Sequence, residues 1–453
     1  MKSTMITTLT QGPCALLVFL LAAPPAVASD QIPGEPQQRP IAITGATIHP
    51  VSSPPIPGGT IVFDRGVITA VGTDIGIPAN AEIISAEGRH VYPGLISADT
   101  HIGLLEIGAV RATNDRQETG RINPNVRAET AFNPESEMIP VTRTNGILVA
   151  VAAPSGPLIR GTSAAMLMDG WTWEEMTLKA PLALNINWPS MATPVASAAP
   201  EAARRMIHAR DSSLRELSEA VRDARAYRTA RRAAAAAGIQ AHKSDSRWEA
   251  MIPVLEGNVP VVVWADEVRE IQAAVRWAEQ EGLRLIIGGG HDAWRVADLL
   301  KAHDIPVLLG GVYRLPPRRF ASYDEPFTAP MKLHQAGVRF AITTGDGFDG
   351  ERNLPYHAAT ASAYGLPPEE ALRSITLSPA EILGIADRIG SLETGKDATL
   401  IVTDGDPLEI PTNVERAFIQ GRRVDLTSRH TMLRDKYQER YSRREKDGAT
   451  SPD

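Results

Sequence analysis

Asp99 and His101 stand two apart in the segment SADTHIG. Side chains two apart on a strand point to the same side, so this carboxylate and imidazole can face one mouth together. Both residue types bind divalent ions, and an Asp-x-His pair can hold one; the alternative is an aspartate that only hydrogen-bonds locally. Asp346, in TTGDGFDGE after an apolar run, is either a strand-end carboxylate able to take a proton or part of an Asp-Gly turn. Asp349 and Glu351 close by suggest a calcium loop, but their spacing does not match an EF-hand. His291 follows Gly288-Gly289-Gly290 and precedes Asp292. It is a ligand candidate if the strand before it stays extended, and otherwise a loop histidine beside a helix N-cap. Arg314, in GGVYRLPP, reaches either a ligand carboxylate or a surface partner. Asn123, Arg127 and Asn133 either close over a mouth or cap their own loop, and His357 in NLPYHAA is a further candidate. The sequence has no phosphate loop, no GxSxG elbow and no HExxH helix, which leaves serine and zincin hydrolysis without support.

Such groups need strand ends gathered on one rim. From Val91 onward, apolar runs alternate with amphipathic helical stretches. The runs cover residues 91–96, 146–153, 182–186, 259–264, 283–287, 305–309 and 338–343, with a fainter one at 164–168. Fully apolar strands separated by helices indicate a parallel sheet covered on both faces. Seven or eight of them over some 300 residues suit a (β/α)₈ TIM barrel. Before it, residues 41–48 and 60–71 read as strands, the second broken by a tight Asp64-Arg65-Gly66 turn into a hairpin. Residues 389–425 return to strands and are expected to pair with them. The expected layout is a discontinuous β-sandwich from residues 39–92 and 389–426, a barrel over 93–388 and a charged tail over 427–453. Residues 111–138 read as a long polar loop over one face. Residues 201–237 read as a helix by propensity, solvated or a subunit contact, so a homodimer is possible.

The chain has 453 residues, 43% of them apolar and 22% charged, enough to bury a sizeable core. Its formal net charge is −7 and it carries no long basic tract, so nucleic acid is not an expected partner. Residues 1–29 read as a signal peptide: Lys2, a short apolar run over 14–23, then Ala26-Val27-Ala28. The run is about half the length a membrane-spanning helix needs. Export to a bacterial periplasm or beyond is therefore expected, with no membrane anchor. The one cysteine, Cys14, lies inside this leader, so the mature chain would have no disulfide or thiolate chemistry.

The segments TGATIHP, GGTIVFDRGVITAVG and GRHVYPGLISADTHIG resemble the opening of amidohydrolases of the imidazolonepropionase-like group. LPPEEALRSITLSPAEILGIADRIGSLETGKDATLIVTDGDPLEI resembles the last barrel helix and closing strands of that group, and ITTGDG its final barrel strand. The resemblance spans about residues 41 to 425. It implies that a divalent metal, one zinc ion, activates water to attack an amide, imide or related C–N bond, with Asp346 as the catalytic base. It permits cyclic amides, imides, small dipeptides and N-acyl compounds as substrates.

The sequence departs from that pattern. Where the group has His-x-His, this chain has Asp99 and His101. Asn185 stands where relatives carry a bridging lysine, and asparagine cannot be carboxylated. Trp264 stands where relatives supply a histidine; its indole has one N–H and no ligand lone pair, and suits a wall or stacking platform. His291 lies two residues beyond the expected position. Asp99, His101 and His291 are thus the expected metal ligands, and Trp264, Arg314 and Asn185 the expected substrate contacts. The expected function is a metal-dependent hydrolase of non-peptide C–N bonds or small dipeptides. The alternative is an inactive paralogue that binds a small molecule or protein.

Overall fold

The computed structural model describes residues 31–193, 199–238, 243–345, 347 and 349–446. The expected leader and Asp346 lie outside the described residues. No helix among those described is long and apolar enough to cross a membrane.

Two eight-stranded sheets organise the chain. The first is built from both ends of the sequence. It contains β1 (Ile41–Ile48), β2 (Ile56–Asp64), β3 (Val67–Gly72), β4 (Glu82–Ser85) and β5 (His90–Pro93). The barrel strands are β6 (Leu95–Thr100), β7 (Ile147–Ala152), β8 (Ile159–Leu167), β9 (Thr177–Asn187), β10 (Val261–Ala265), β11 (Leu285–Gly289), β12 (Val307–Leu309) and β13 (Phe340–Ile342). The closing strands β14 (Leu400–Thr403), β15 (Val414–Ile419) and β16 (Arg422–Val424) complete the first sheet. Its order is β16-β15-β14-β5-β1-β2-β3, with β4 also on β1. The join between the chain's two ends is the antiparallel pair β5–β14, with Pro93 opposite Leu400. Asp64 and Val67 close the β2–β3 hairpin, with Arg65 and Gly66 at φ +47° and +80°.

The barrel sheet runs β13-β12-β11-β10-β9-β8-β7-β6. Apolar side chains alternate along its strands. Val261, Val263, Leu285 and Ile287 pack with Ile271, Ala274 and Ala278 of the helix Val268–Gln280. Val262, Ile286, Leu308 and Ala341 pack instead with Ala183 and Trp264. This two-residue period lets one short strand feed the interior and the helical layer together. Each aliphatic side chain so buried contributes about 1.5–3 kcal/mol.

One expectation needs correction. The barrel strands are not all parallel: β8 is antiparallel to both β7 and β9. The links on either side of it are too short for a crossover helix, so β7, β8 and β9 form a meander. The charged tail carries a helix, Arg429–Lys446. Ser428 begins it, its Oγ accepting from Thr431 N while Thr431 Oγ1 accepts from Ser428 N. The stretch before β1 is also tied down: Gly34 N donates to Asp169 Oδ2 at 3.0 Å and Gln37 Nε2 to Phe63 O at 2.9 Å. The helix Pro200–Ala236 buries only Leu217, Ala220, Val221 and Ala224 and leaves its remaining faces wholly or partly open to solvent.

Candidate functional site

The rim is built from the ends of β6, β9, β10, β11 and β12 and the start of β8. Asp99 lies at the end of β6, half-buried, with His101 just beyond it. The His101 amide donates to Gly347 O at 2.5 Å and Thr100 Oγ1 to the same carbonyl at 2.8 Å, so the turn after β13 lies against this strand end. His101 Nε2 is 2.9 Å from Ser155 Oγ. Burial, with Arg116 and Arg160 adding to it, lowers the imidazole to about 4, so His101 is neutral at physiological pH.

Arg160 is the residue the sequence reading missed. Because β8 runs against its neighbours, its beginning lies where theirs end, with Gly161 opposite Asn185 near the end of β9. The guanidinium carbon is 5.2 Å from the centre of the Trp264 ring, and one terminal nitrogen donates to Asn187 Oδ1. Asn187 in turn donates to Gly156 O at 2.5 Å. Arg160 Nε is buried without a hydrogen-bond partner. Burial pushes the Asp99 carboxyl up to about 7 against the opposing attraction of Arg160. Burial likewise lowers Arg160 to about 10, with Asp99 opposing, so the guanidinium stays charged at neutral pH. The clue in the sequence was a lone cation in the otherwise apolar and small-residue run LIRGTSAAMLM.

Trp264 and Asn185 are engaged with the protein itself. The indole Nε1 donates to Asn185 Oδ1 at 3.3 Å, and the Asn185 amide lies 3.5 Å from Gly161 O and 3.4 Å from Ala183 O. The ring lies over Gly288, where a Cβ would come within 2.7 Å of it. Next along the rim, His291 Nδ1 is 3.2 Å from Asp266 Oδ1. Gly289 permits this approach: its φ is +78°, and a Cβ there would collide with the Asp266 carboxylate. Burial, with Arg314 adding to it, lowers His291 to about 4. Arg314 Nε is also buried without a partner, and burial lowers its guanidinium against the attraction of Asp266. Arg318 grips both oxygens of Asp292, which holds down the loop that carries Arg314. His357 Nδ1 accepts from Val312 N at 3.1 Å, and its ring centre is 4.2 Å from that of Tyr313, so it supports the loop from beneath. Arg127 donates to Glu129 and Asn133 to Glu106, which fixes their own loop.

The resemblance implies a divalent ion, and the described residues do not fit one. Among them no three His, Cys, Asp or Glu side chains gather closely enough to hold a metal. Asp99 and His101 both feel the charge of Arg160, whereas His291 lies beside Asp266. A fixed guanidinium beside two would-be ligands repels a second cation. The expected set of Asp99, His101 and His291 is therefore not assembled as a three-ligand group, and Asp346 lies outside the described residues.

The architecture is thus a barrel with titratable groups on one rim, joined to a sheet built from both chain ends. Residues 323–424 match the profile of the Amidohydrolase family. The chain is 24% identical over 400 residues to the amidohydrolase tasK of Hapsidospora irregularis, covering 80% of this chain and 39% of that protein. It is 25% identical over 390 residues to the imidazolonepropionase of Mesorhizobium japonicum, covering 76% of this chain and 86% of that one. A solved amidohydrolase from Thermotoga maritima superposes with a TM-score of 0.76 at 28% identity, over 85% of this chain and 99% of its own. Over most of its length the chain is similar to proteins of the amidohydrolase superfamily.

Proposed function

We propose that the chain is an amidohydrolase-type hydrolase that cleaves a non-peptide carbon–nitrogen bond, or the bond of a small dipeptide, at the rim beside Asp99. The observation that carries the reading is a carboxylate and an imidazole at the end of β6, against the turn after β13, in a chain that superposes on the Thermotoga amidohydrolase. Asp99 is the proton acceptor. With its carboxyl near 7, both protonation states are populated in neutral solution. The carboxylate takes a proton from water as the water oxygen bonds to the carbonyl carbon. The same proton passes to the leaving nitrogen as the carbon–nitrogen bond breaks. Neutral His101 has one N–H to offer the carbonyl oxygen. The Mesorhizobium relative's name supports a small cyclic amide as one substrate, and N-acyl amino acids belong to the same class. Export of the chain, and pairing of two copies through the helix Pro200–Ala236, are part of this proposal.

The test is amine or acid release from a panel of imidazolones, N-acetyl amino acids and dipeptides, with and without chelator and added zinc. Turnover that falls about 100-fold or more in Asp99→Asn supports the reading. No turnover across the panel rejects it. A second reading, binding without cleavage, is favoured by the guanidinium fixed on Trp264 and Asn187, whose charge acts on Asp99, and ligand binding without turnover would establish it.

A further inference from the structure

We propose that Arg160 is a built-in cationic subsite for a ligand carboxylate, standing where the family resemblance would place a metal ion. The inference rests on the reading of the rim as a small-molecule site and names the ligand class: amides that carry a free carboxylate close to the carbon–nitrogen bond.

The geometry supplies three parts of such a subsite. The first is a charge held in place. The Trp264 ring lies beside the guanidinium at 5.2 Å, and Asn187 takes one of its terminal N–H groups. A guanidinium already fixed on two sides loses little freedom when it binds. The second is an unmet need. Arg160 Nε is buried with no acceptor, and a buried donor left unpaired is costly, so an incoming acceptor gains more here than at an exposed arginine. A carboxylate matches the planar fork of a guanidinium. The third is positive charge. Among the described residues, Arg116 and Arg160 both act on His101, and Asp99 acts on Arg160. Arg116 is attached to the same patch through its carbonyl, which accepts from Ser155 N at 2.6 Å. A carboxylate seated on Arg160 would bring its neighbouring amide toward Asp99.

The experiment is calorimetric titration of the full chain with N-acetylglycine and with the neutral N-acetylglycinamide, alongside zinc alone. The wild type should bind the carboxylate at least tenfold more tightly than the neutral amide, and should take up no stoichiometric zinc. Arg160→Met should lose that preference, and Arg160→Lys, which keeps charge but not the fork, should lose part of it. Asp99→Asn removes the competing anion and should tighten carboxylate binding, a change that a merely structural Arg160 would not produce. Equal binding of the two probes, no binding of either, an unchanged preference in Arg160→Lys, or stoichiometric zinc lost in Asp99→Ala would each overturn the proposal. Carboxylate binding without hydrolysis would leave this inference standing and reject the hydrolase reading. Hydrolysis of neutral amides that is unaffected in Arg160→Lys would do the reverse.

Discussion

Ser97 Oγ donates to the Glu351 carboxylate at 2.5 Å, across the seam where the first and last barrel strands fail to meet. Glu351 is fully buried and also accepts from Thr344 Oγ1 at 2.6 Å. Ser97 is two residues before Asp99, and Thr344 lies just past β13. Backbone bonds from Ile96 to Ile375 and from Ile342 to Ser374 show that a wedge of chain occupies this seam. The carboxylate thus fastens together the two strand ends that shape the rim.

Removing that fastening should be costly. Glu351→Ala removes an acceptor shared by two buried hydroxyls and opens a void, for a loss of about 2–4 kcal/mol. Glu351→Gln keeps an acceptor oxygen and should lose about half as much. Urea unfolding of the three proteins checks the order, and a loss under about 0.5 kcal/mol for the alanine variant would reject the role.

Asp99 should make stability depend on pH. Its folded carboxyl is raised to about 7, above the usual unfolded value near 3.9, so the folded state holds the proton more tightly. The associated stability is fully present below about pH 4 and is lost as pH rises through about 7. Asp99→Asn should therefore match the wild type at pH 4 and exceed it by about 2–4 kcal/mol at pH 8. Unfolding curves at the two pH values test this; a gap of equal size at both would show that the carboxyl is not raised.

Gly288 sets the position of the indole. In Gly288→Ala the new methyl would lie 2.7 Å from the Trp264 ring, so the ring must move and Arg160 loses its platform. The expected cost is about 1–3 kcal/mol of stability. Ligand affinity should fall further than this stability change accounts for. Trp emission and calorimetry on the folded variant read the two effects separately, and unchanged affinity would detach Trp264 from the site.

Arg143 and Asp169 form an ion pair at 2.9 Å with both side chains 3% exposed. Arg143 also donates to Met168 O at 2.8 Å, and Asp169 accepts from Gly34 N. Asp169→Asn takes from a buried guanidinium the carboxylate it is hydrogen-bonded to, leaving the attraction of Asp425, at about 3 kcal/mol. Hydrogen exchange at Gly34 should rise with it. Unaltered protection there would show that the segment before β1 is held by other contacts.

Local sequence determined the kind of each element and which residues share a side. The apolar runs became strands, Asp64-Arg65-Gly66 turned the hairpin, and Asp99 and His101 share a strand end, because strand period and turn chemistry act over a few residues. Tertiary structure decided which groups meet. That β8 runs backwards depends on how three strands pair, so the lone cation Arg160 was visible in its run but its place on the rim was not. Glu351 suggested a calcium loop by its acidic neighbours, yet it lies buried against two hydroxyls from strands far apart in sequence. Asp266 and His291 meet only because β10 and β11 lie side by side and Gly289 leaves room. Such contacts join residues tens to hundreds of positions apart, and periodicity within one segment holds no record of its partner's direction or register.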